Sequence, residues 1–488
     1  VTITLRPDQL DAVNEVRDAM REHQSVLLHA ECGWGKTVAS AYIAKAAEAK
    51  GKRILFAAHR KALLRQTAVT FQDFGIKFGF IAAGMASNPF AKVQIVSADT
   101  IKNRPELLKC DLFVPDEAHL WCRGKTRIEI IDTARKHGAH IMPLTATPAD
   151  GTGNGLGNIA DHIVHGPDAA WLIERGFLAQ YKAYAPFTPD LSGVRSQAGE
   201  YVTASLDETL DKPSIIGDRV EAYRKYANGK RHIGYCYSRK NGHDTAQAFN
   251  DAGINARFVD GETPDDEMRN AINGFADRSI QVLLNCQLFR EGFDLSAQVG
   301  RRVPIESVGL YAPCKSLPMA IQMMMRPMRP QDGHAVLLDH AGIFAAHGLP
   351  DDEREWTLER RENKQTGVSA VNITTCPSCF GAYRSVLPSC PECGTGKPLK
   401  PRTVEEIAGE LKEIERERKR IEAKGKRVEV GRANDMDKLA DIAIARKYKT
   451  GWLISQAKIK GINPRLPWKD ACAAMMAAQA RARQSVVA

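Results

Sequence analysis

No stretch of the 488-residue chain approaches 18 uncharged apolar residues, so no membrane-spanning helix is expected. The opening, Val1 to Leu10, lacks the basic, apolar and small-residue succession of a secretory signal, which points to a cytoplasmic protein. The 11 cysteines are too few for a disulfide scaffold; seven are scattered singly and read as reduced thiols, and four lie between Cys376 and Cys393. Aromatic residues make up only 7%, yet 43% of the chain is apolar and 26% charged. That composition excludes collagen and wholly disordered chains, and the length suits two or three cores. The net charge of +10 is unevenly placed: residues 395–488 carry 22 basic and 12 acidic groups, and the remainder carries 46 of each. A basic tail on a neutral body suits a polyanionic partner, with solubility as the other explanation.

What the chain does have is a rhythm. Ser25–Ala30, Arg53–Ala58, Val93–Ala98, Leu112–Pro115 and Ile141–Leu144 read as short buried strands, separated by helical stretches such as Val38–Lys50 and Lys61–Phe74. The rhythm restarts at Ile233–Tyr237, Ala256–Val259, Ile280–Leu284 and Ala335–Asp339. Alternation of this kind predicts an α/β fold with mostly parallel sheets. The expected divisions are 1–165, a passage over 166–229, a second α/β unit over 230–348, a linker and cysteine module over 349–400, and a basic helical region over 401–488. Residues 349–375 read as a charged linker or surface helix. Thr403–Ala423 reads as a helix, opened by a capping box from Thr403 to Glu406. Its stripe of Val404, Ile407, Leu411, Ile414 and Ile421 would pair with a helix near Leu439–Arg446, or pack as an ordinary charged helix.

The strongest local signal is Ala30-Glu31-Cys32-Gly33-Trp34-Gly35-Lys36-Thr37, after a strand and before a helix. Gly33 and Gly35 let the loop curl so that backbone N–H groups face phosphate oxygens; Lys36 suits the β and γ phosphates of ATP and Thr37 suits Mg²⁺. The first position of the strict motif is glycine, and here it is Ala30. Asp116-Glu117-Ala118-His119 follows another strand, where Asp116 suits Mg²⁺ and Glu117 suits polarising a water.

Taken together, these motifs resemble a superfamily 2 helicase or translocase, of the DEAD/DEAH-like kind found in phage and bacterial genomes. Arg6-Pro7-Asp8-Gln9 resembles the opening motif, whose glutamine reads adenine. His59 and Arg60, Thr100, and Thr145 with Thr147 stand where that family contacts nucleic acid or couples it to ATP, and His119 stands at the coupling position. In the second unit Ser238 and Arg239, then Gly292 and Asp294, then Gln322, Arg326 and Arg329 follow in family order. The resemblance covers about the first 345 residues. It implies two RecA-like domains with ATP between them, Lys36, Asp116, Glu117, Arg326 and Arg329 as the catalytic groups, and DNA as partner. Forked, branched or single-stranded DNA is the leading expectation; a duplex translocase, an RNA helicase and a non-enzymatic binding module are the alternatives. Met325 replaces the glycine usual before Arg326, either crowding the interdomain contact or packing on it.

Cys376-Pro377-Ser378-Cys379 and Cys390-Pro391-Glu392-Cys393 form two CxxC knuckles separated by ten residues, the spacing of a structural Zn²⁺ site. A redox dithiol or an iron–sulfur cluster is the other reading. Arg384, Lys397, Lys400 and Arg402 would touch phosphate or simply face solvent. Lys447, Lys449, Trp452, Lys458 and Lys460 interleave charge with an aromatic, which suits backbone or stacking contacts to nucleic acid, Trp452 being equally a packing anchor. A monomer is the default for this fold; the heptad stripe would serve a dimer.

Overall fold

The computed structural model describes residues 4–59, 61–150, 153–186, 188–197, 200–210, 213–286, 288, 295–359, 373–397, 433, 435–463 and 465–484. Contacts divide the chain into two units, 1–398 and 399–488.

The first unit opens with helix α1 (Pro7–Ala19), strand β1 (Val26–His29) and helix α2 (Lys36–Glu48). Next come β2 (Ile54–Ala58), α3 (Lys61–Asp73), β3 (Phe78–Ile81), β4 (Val93–Ser97) and β5 (Leu112–Pro115). β6 (His140–Ile141), β7 (Leu144–Thr145) and β8 (His162–His165) complete domain 1. All pairings are parallel, in the orders β3-β4-β2-β5-β6 and β7-β1-β8. The expected strand over Ile141–Leu144 is divided at Pro143, which has no N–H to give a ladder. Its first part pairs with β5 and its second with β1, and a bridge from Ser25 to Ile141 joins the two sheets. β1 and β2 are buried at every position, as strands covered on both faces must be.

β9 (Tyr181–Tyr184) comes from the stretch expected to be a passage, yet it joins the sheet of domain 2. A short hairpin, β10 (Ser196–Gln197) and β11 (Glu200–Tyr201), precedes two helices, Thr203–Leu210 and Pro213–Tyr226. β12 (His232–Cys236), β13 (Ala256–Val259), β14 (Val282–Cys286), β15 (Ser307–Leu310) and β16 (Ala335–Asp339) give a six-stranded parallel sheet ordered β13-β14-β12-β15-β16-β9. A core cluster containing Phe249, Leu284, Tyr311 and Leu338 packs within this domain.

Residues 352–357 are not the surface helix allowed for in the sequence; they carry no helical structure. Arg354, Trp356 and Leu358 are half-buried and Glu353, Glu355, Thr357 and Glu359 exposed. That is a period of two, which an extended chain meets and a helix does not. The cysteine module follows as the antiparallel hairpin β17 (Ile373–Thr375) and β18 (Ala382–Arg384) with its knuckles.

In the second unit, helices Met436–Ala445, Thr450–Ile459 and Trp468–Gln484 pack around Leu439, Ala443, Leu453, Ala457 and Ala471. Asp435 caps the first, accepting from the Lys438 N–H at 2.8 Å. The capping box and heptad stripe of 403–423, with Lys400 and Arg402, lie outside the described residues.

Candidate functional site

β1 leads at its carboxyl end into the candidate phosphate-binding loop, and α2 starts at Lys36. Gly33 and Gly35 take φ of +85° and +106°, left-handed values that favour glycine. A β-carbon on Gly35 would also come within 2.7 Å of Gln9 Nε2. Ala30 is tolerated at the first motif position because the residue opposite it is Gly166: a β-carbon there would stand 3.2 Å from Ala30 Cβ. Lys36 Nζ donates to the carbonyls of Ala30 at 2.8 Å and Glu31 at 3.3 Å. Burial pushes the Glu31 carboxyl up to about 7, with Lys36 and Arg354 opposing.

Gln9 and Arg6 both reach the loop, donating to the Trp34 carbonyl at 2.8 and 3.0 Å. Trp34 Nε1 donates back to Asp8 at 2.7 Å, and the Arg6 guanidinium lies 4.4 Å over the Phe177 ring. Trp34 and Phe177 were not singled out in the sequence. Their contacts join segments far apart in the chain, which spacing rules do not register.

β5 presents Asp116, which is buried, and Glu117, whose φ of +52° is unusual for a residue with a side chain. Burial, then the Glu117 charge, pushes the Asp116 carboxyl up to about 7, with Lys36 opposing. A divalent cation at this carboxylate would reverse that effect. His119 Nδ1 lies 3.5 Å from Glu117 Oε2 and 3.3 Å from Thr145 Oγ1. Thr145 Oγ1 in turn accepts from the Thr147 N–H at 3.0 Å. A chain of polar contacts thus leads from the acidic pair to the two threonines.

Domain 2 closes the other side. The helix Leu317–Met324 carries Gln322, and the turn after it carries Arg326 and Arg329. Gln322 is 4% exposed, and neither atom of its amide has a partner among the described residues. Met325 is buried in the core with a φ of −80°, so it packs and the position has no need of glycine. Lys36, Thr37, Asp116 and Glu117 from domain 1 and Gln322, Arg326 and Arg329 from domain 2 line one cavity of about 520 Å³. Arg302, not anticipated from the sequence, lines it too.

The expected nucleic-acid contacts are placed less uniformly. His59 and Thr100 lie just beyond the carboxyl ends of the paired strands β2 and β4. Ser238 caps the helix Arg239–Asp251, accepting from the Asn241 N–H at 3.1 Å, and donates to Asp207. Arg239 pairs with Asp260 at 2.6 Å and Glu262 at 2.7 Å. Arg60, Gly292 and Asp294 lie outside the described residues.

The four thiols of the cysteine module lie within 4.8 Å of one another, with Cys376–Cys393 and Cys379–Cys390 at 3.5 and 3.6 Å. Four thiolates at about 2.3 Å from one tetrahedral Zn²⁺ stand about 3.8 Å apart, so the set fits such a metal site. Arg384 is bound to Asp351 and Asp352, and Lys397 Nζ donates to the Ser385 carbonyl, so both support the module locally.

With this geometry in place, conserved-domain comparison finds "Type III restriction enzyme, res subunit" over residues 2–150 and "Helicase conserved C-terminal domain" over residues 212–331. A 51.5 kDa protein of a Lactococcus phage is 33% identical over 367 residues, covering 74% of this chain and 76% of that protein. The chain belongs to the superfamily 2 helicases. IRC3 of Saccharomyces cerevisiae, provisionally named an ATP-dependent helicase, is 24% identical over 362 residues, 69% of this chain, which spans about half (51%) of that protein's length. Among solved structures, the DUF1998 helicase MrfA bound to DNA aligns with a TM-score of 0.49 and 14% identity, over 69% of this chain and 46% of that one. The helicase is an ATP-hydrolysing enzyme with a phage relative, and its two α/β units resemble tandem RecA-like domains.

Proposed function

We propose that the protein couples ATP hydrolysis to translocation on DNA and to its unwinding or remodelling. The observation that carries this reading is that loop and acidic residues of one domain and arginines of the other line one and the same cavity. In it Lys36 holds the β and γ phosphates, while Thr37 and Asp116 would hold Mg²⁺, which neutralises phosphate charge when bound. Glu117 orients the attacking water. Arg326 and Arg329 offset charge building on the transferred phosphoryl group, so turnover requires the domains to be close. Release of γ-phosphate removes their common ligand, and backbone contacts on both domains convert the separation into a step along a strand. Cys376, Cys379, Cys390 and Cys393 would hold one structural Zn²⁺, and four thiolates would leave no open position for catalysis.

The test is steady-state ATP hydrolysis at low salt with no nucleic acid, single-stranded DNA, duplex, forked DNA and single-stranded RNA, using Lys36→Ala as control. Stimulation by forked DNA that disappears in Lys36→Ala supports the reading. Stimulation by RNA above all, or by duplex without strand separation, replaces it with an RNA helicase or a duplex translocase. Tight DNA binding without turnover on any substrate leaves a binding module and sinks the motor.

A further inference from the structure

The chain does not leave the motor when domain 2 ends. Arg354 gathers the end of that domain: Nη1 donates to the carbonyls of Asp352 (3.0 Å) and Pro350 (3.3 Å), and Nη2 to those of Leu349 (2.8 Å) and His347 (3.2 Å). Beyond it the extended residues cross to domain 1. The Trp356 ring stands 5.9 Å from that of His29, the last residue of β1 before the phosphate loop. Leu358 packs against a domain 1 core cluster that includes Leu156 and Ile159.

The main chain is seated as firmly as the side chains. The Gly157 N–H donates to the Leu358 carbonyl at 2.9 Å, and the Gly155 N–H to the Glu359 carbonyl at 3.0 Å. There is no room for a side chain at either glycine. A β-carbon on Gly155 would fall 2.3 Å from the Thr357 carbonyl oxygen, and one on Gly157 2.6 Å from that of Leu358. The near end of the segment is held from outside: Arg384 of the cysteine module binds Asp351 at 2.8 Å and Asp352 at 2.7 Å. The inner face therefore meets the root of the phosphate loop. Trp356 abuts His29, and the charge of Arg354 acts on the Glu31 carboxyl. The carbonyls of Ala30 and Glu31, next in sequence, hold Lys36 Nζ.

We propose that residues 353–359 form a strap tying domain 2 and the cysteine module to the root of the phosphate loop, with Arg354 ordering its near end and Trp356 as the positioning residue that acts on Lys36 through residues 29–31. The strap spans the two domains whose separation changes in each ATP cycle. Movement of domain 2 therefore reaches Lys36 from behind as well as through the arginines across the cavity. This deepens the ATPase reading and rests on it.

Two readouts on the full-length protein test the strap, one of them independent of turnover. Hydrogen exchange without nucleotide reads the seat: the Gly155 and Gly157 amides exchange slowly in the wild type and quickly in Trp356→Ala. ATP kinetics read the consequence. A loop displaced by about 1 Å costs on the order of 100-fold at a reacting centre, so kcat/KM for ATP in Trp356→Ala falls about tenfold or more. The loss appears in kcat as well as in KM, because Lys36 touches the phosphoryl group that reacts. Trp356→Phe, which keeps a ring against His29, restores both readouts. If Trp356→Ala does not melt cooperatively, Gly155→Ala decides instead, since it presses on the strap from the far side without emptying a core. Fast exchange at both glycines in the wild type overturns the strap. So does a variant with freed amides but KM and kcat within about twofold of wild type. Full ATPase activity in Lys36→Ala would remove the motor reading instead, and leave the exchange result standing.

Discussion

Gln322 shows what the cavity asks of single residues. Its amide is buried with neither atom partnered among the described residues, and a dry polar atom costs about 1–3 kcal/mol. Replacement by an apolar side chain of similar volume removes that cost, so Gln322→Leu is expected to unfold at a higher temperature, gaining about 1 kcal/mol. If the amide serves ATP, kcat/KM for ATP drops at the same time. Thermal melts beside ATPase assays check both halves; a variant that is less stable yet fully active contradicts the assignment. His119 makes a second case. Because it touches both Glu117 and Thr145, His119→Ala should hydrolyse ATP without nucleic acid at close to the wild-type rate and lose most of the stimulation by DNA. Equal loss of basal and stimulated rates would make it a plain active-site support. At this scale the motifs singled out Lys36, Asp116, Gln322 and Arg326, which the structure brings to one cavity, because phosphate and cation chemistry demands particular residue types at fixed spacing. The Trp34–Asp8 and Arg6–Phe177 contacts were not. They exist only once α1, the loop and the residues before β9 have met.

Among the elements, β12 carries a group that ties stability to pH. His232 is fully buried, its ring nitrogens 2.9 Å from Ser307 Oγ and 2.8 Å from Tyr311 Oη, and burial lowers its pKa to about 3. In the unfolded chain a histidine takes up a proton near pH 6.5. The unfolded state thus binds more protons between those two values. Its contribution is complete above about pH 6.5 and is lost as pH falls toward about 3, at up to about 1.4 kcal/mol per pH unit. Urea unfolding at about pH 7.5 and pH 5.5 should show a wild-type loss that is smaller in His232→Asn relative to its own value at the higher pH. The same loss in both would place the pH sensitivity elsewhere.

The cysteine module gives the complementary lesson about elements. Its four ligands could be read from spacing alone, but its place in the fold could not. The Ala185 N–H donates to the Phe380 carbonyl and Tyr226 Oη to that of Cys379, both at 2.9 Å, which seats the module beside β9. β9 itself escaped notice because four residues at a sheet edge, half-buried at Tyr181 and Lys182 and buried at Ala183 and Tyr184, show no alternation to read. The extended 353–359 segment was ambiguous for another reason, since its dense charge suited a surface helix as well as a linker, and the linker reading is the one that its non-helical chain matches. A small metal module draws its folding energy from the ion. Chelation is therefore expected to release one Zn²⁺ per chain, expose four thiols to titration and lower the melting temperature. A chain that loses zinc with no change in melting would show that the module contributes nothing to domain 2.

For the molecule as a whole, the distribution of charge matters more than its sum. Residues 1–394 are balanced and residues 395–488 carry the entire excess. Among the described residues of the second unit, Asp435 pairs with Lys438, and Asp437 and Asp441 with Arg481. Lys447, Lys449 and Lys458 are exposed around the turn and along the helix Thr450–Ile459, beside the Tyr448 and Trp452 rings, whose centres are 4.6 Å apart. Trp452 packs on the core of the unit, so it anchors the helix that presents the lysines. If this surface meets DNA phosphates, each lysine releases about one counterion, and the slope of log K against log salt carries about 0.9 per contact. The triple variant Lys447→Glu, Lys449→Glu, Lys458→Glu should then bind duplex DNA more weakly at low salt, with a slope shallower by about 2 to 3. Its ATPase rate without nucleic acid should be unchanged, because none of the three lines the cavity. Binding titrations from low to moderate salt, with a Lys→Arg triple variant that keeps the charge, make the comparison. An unchanged slope would assign the basic excess to solubility, and confine DNA binding to the neutral body.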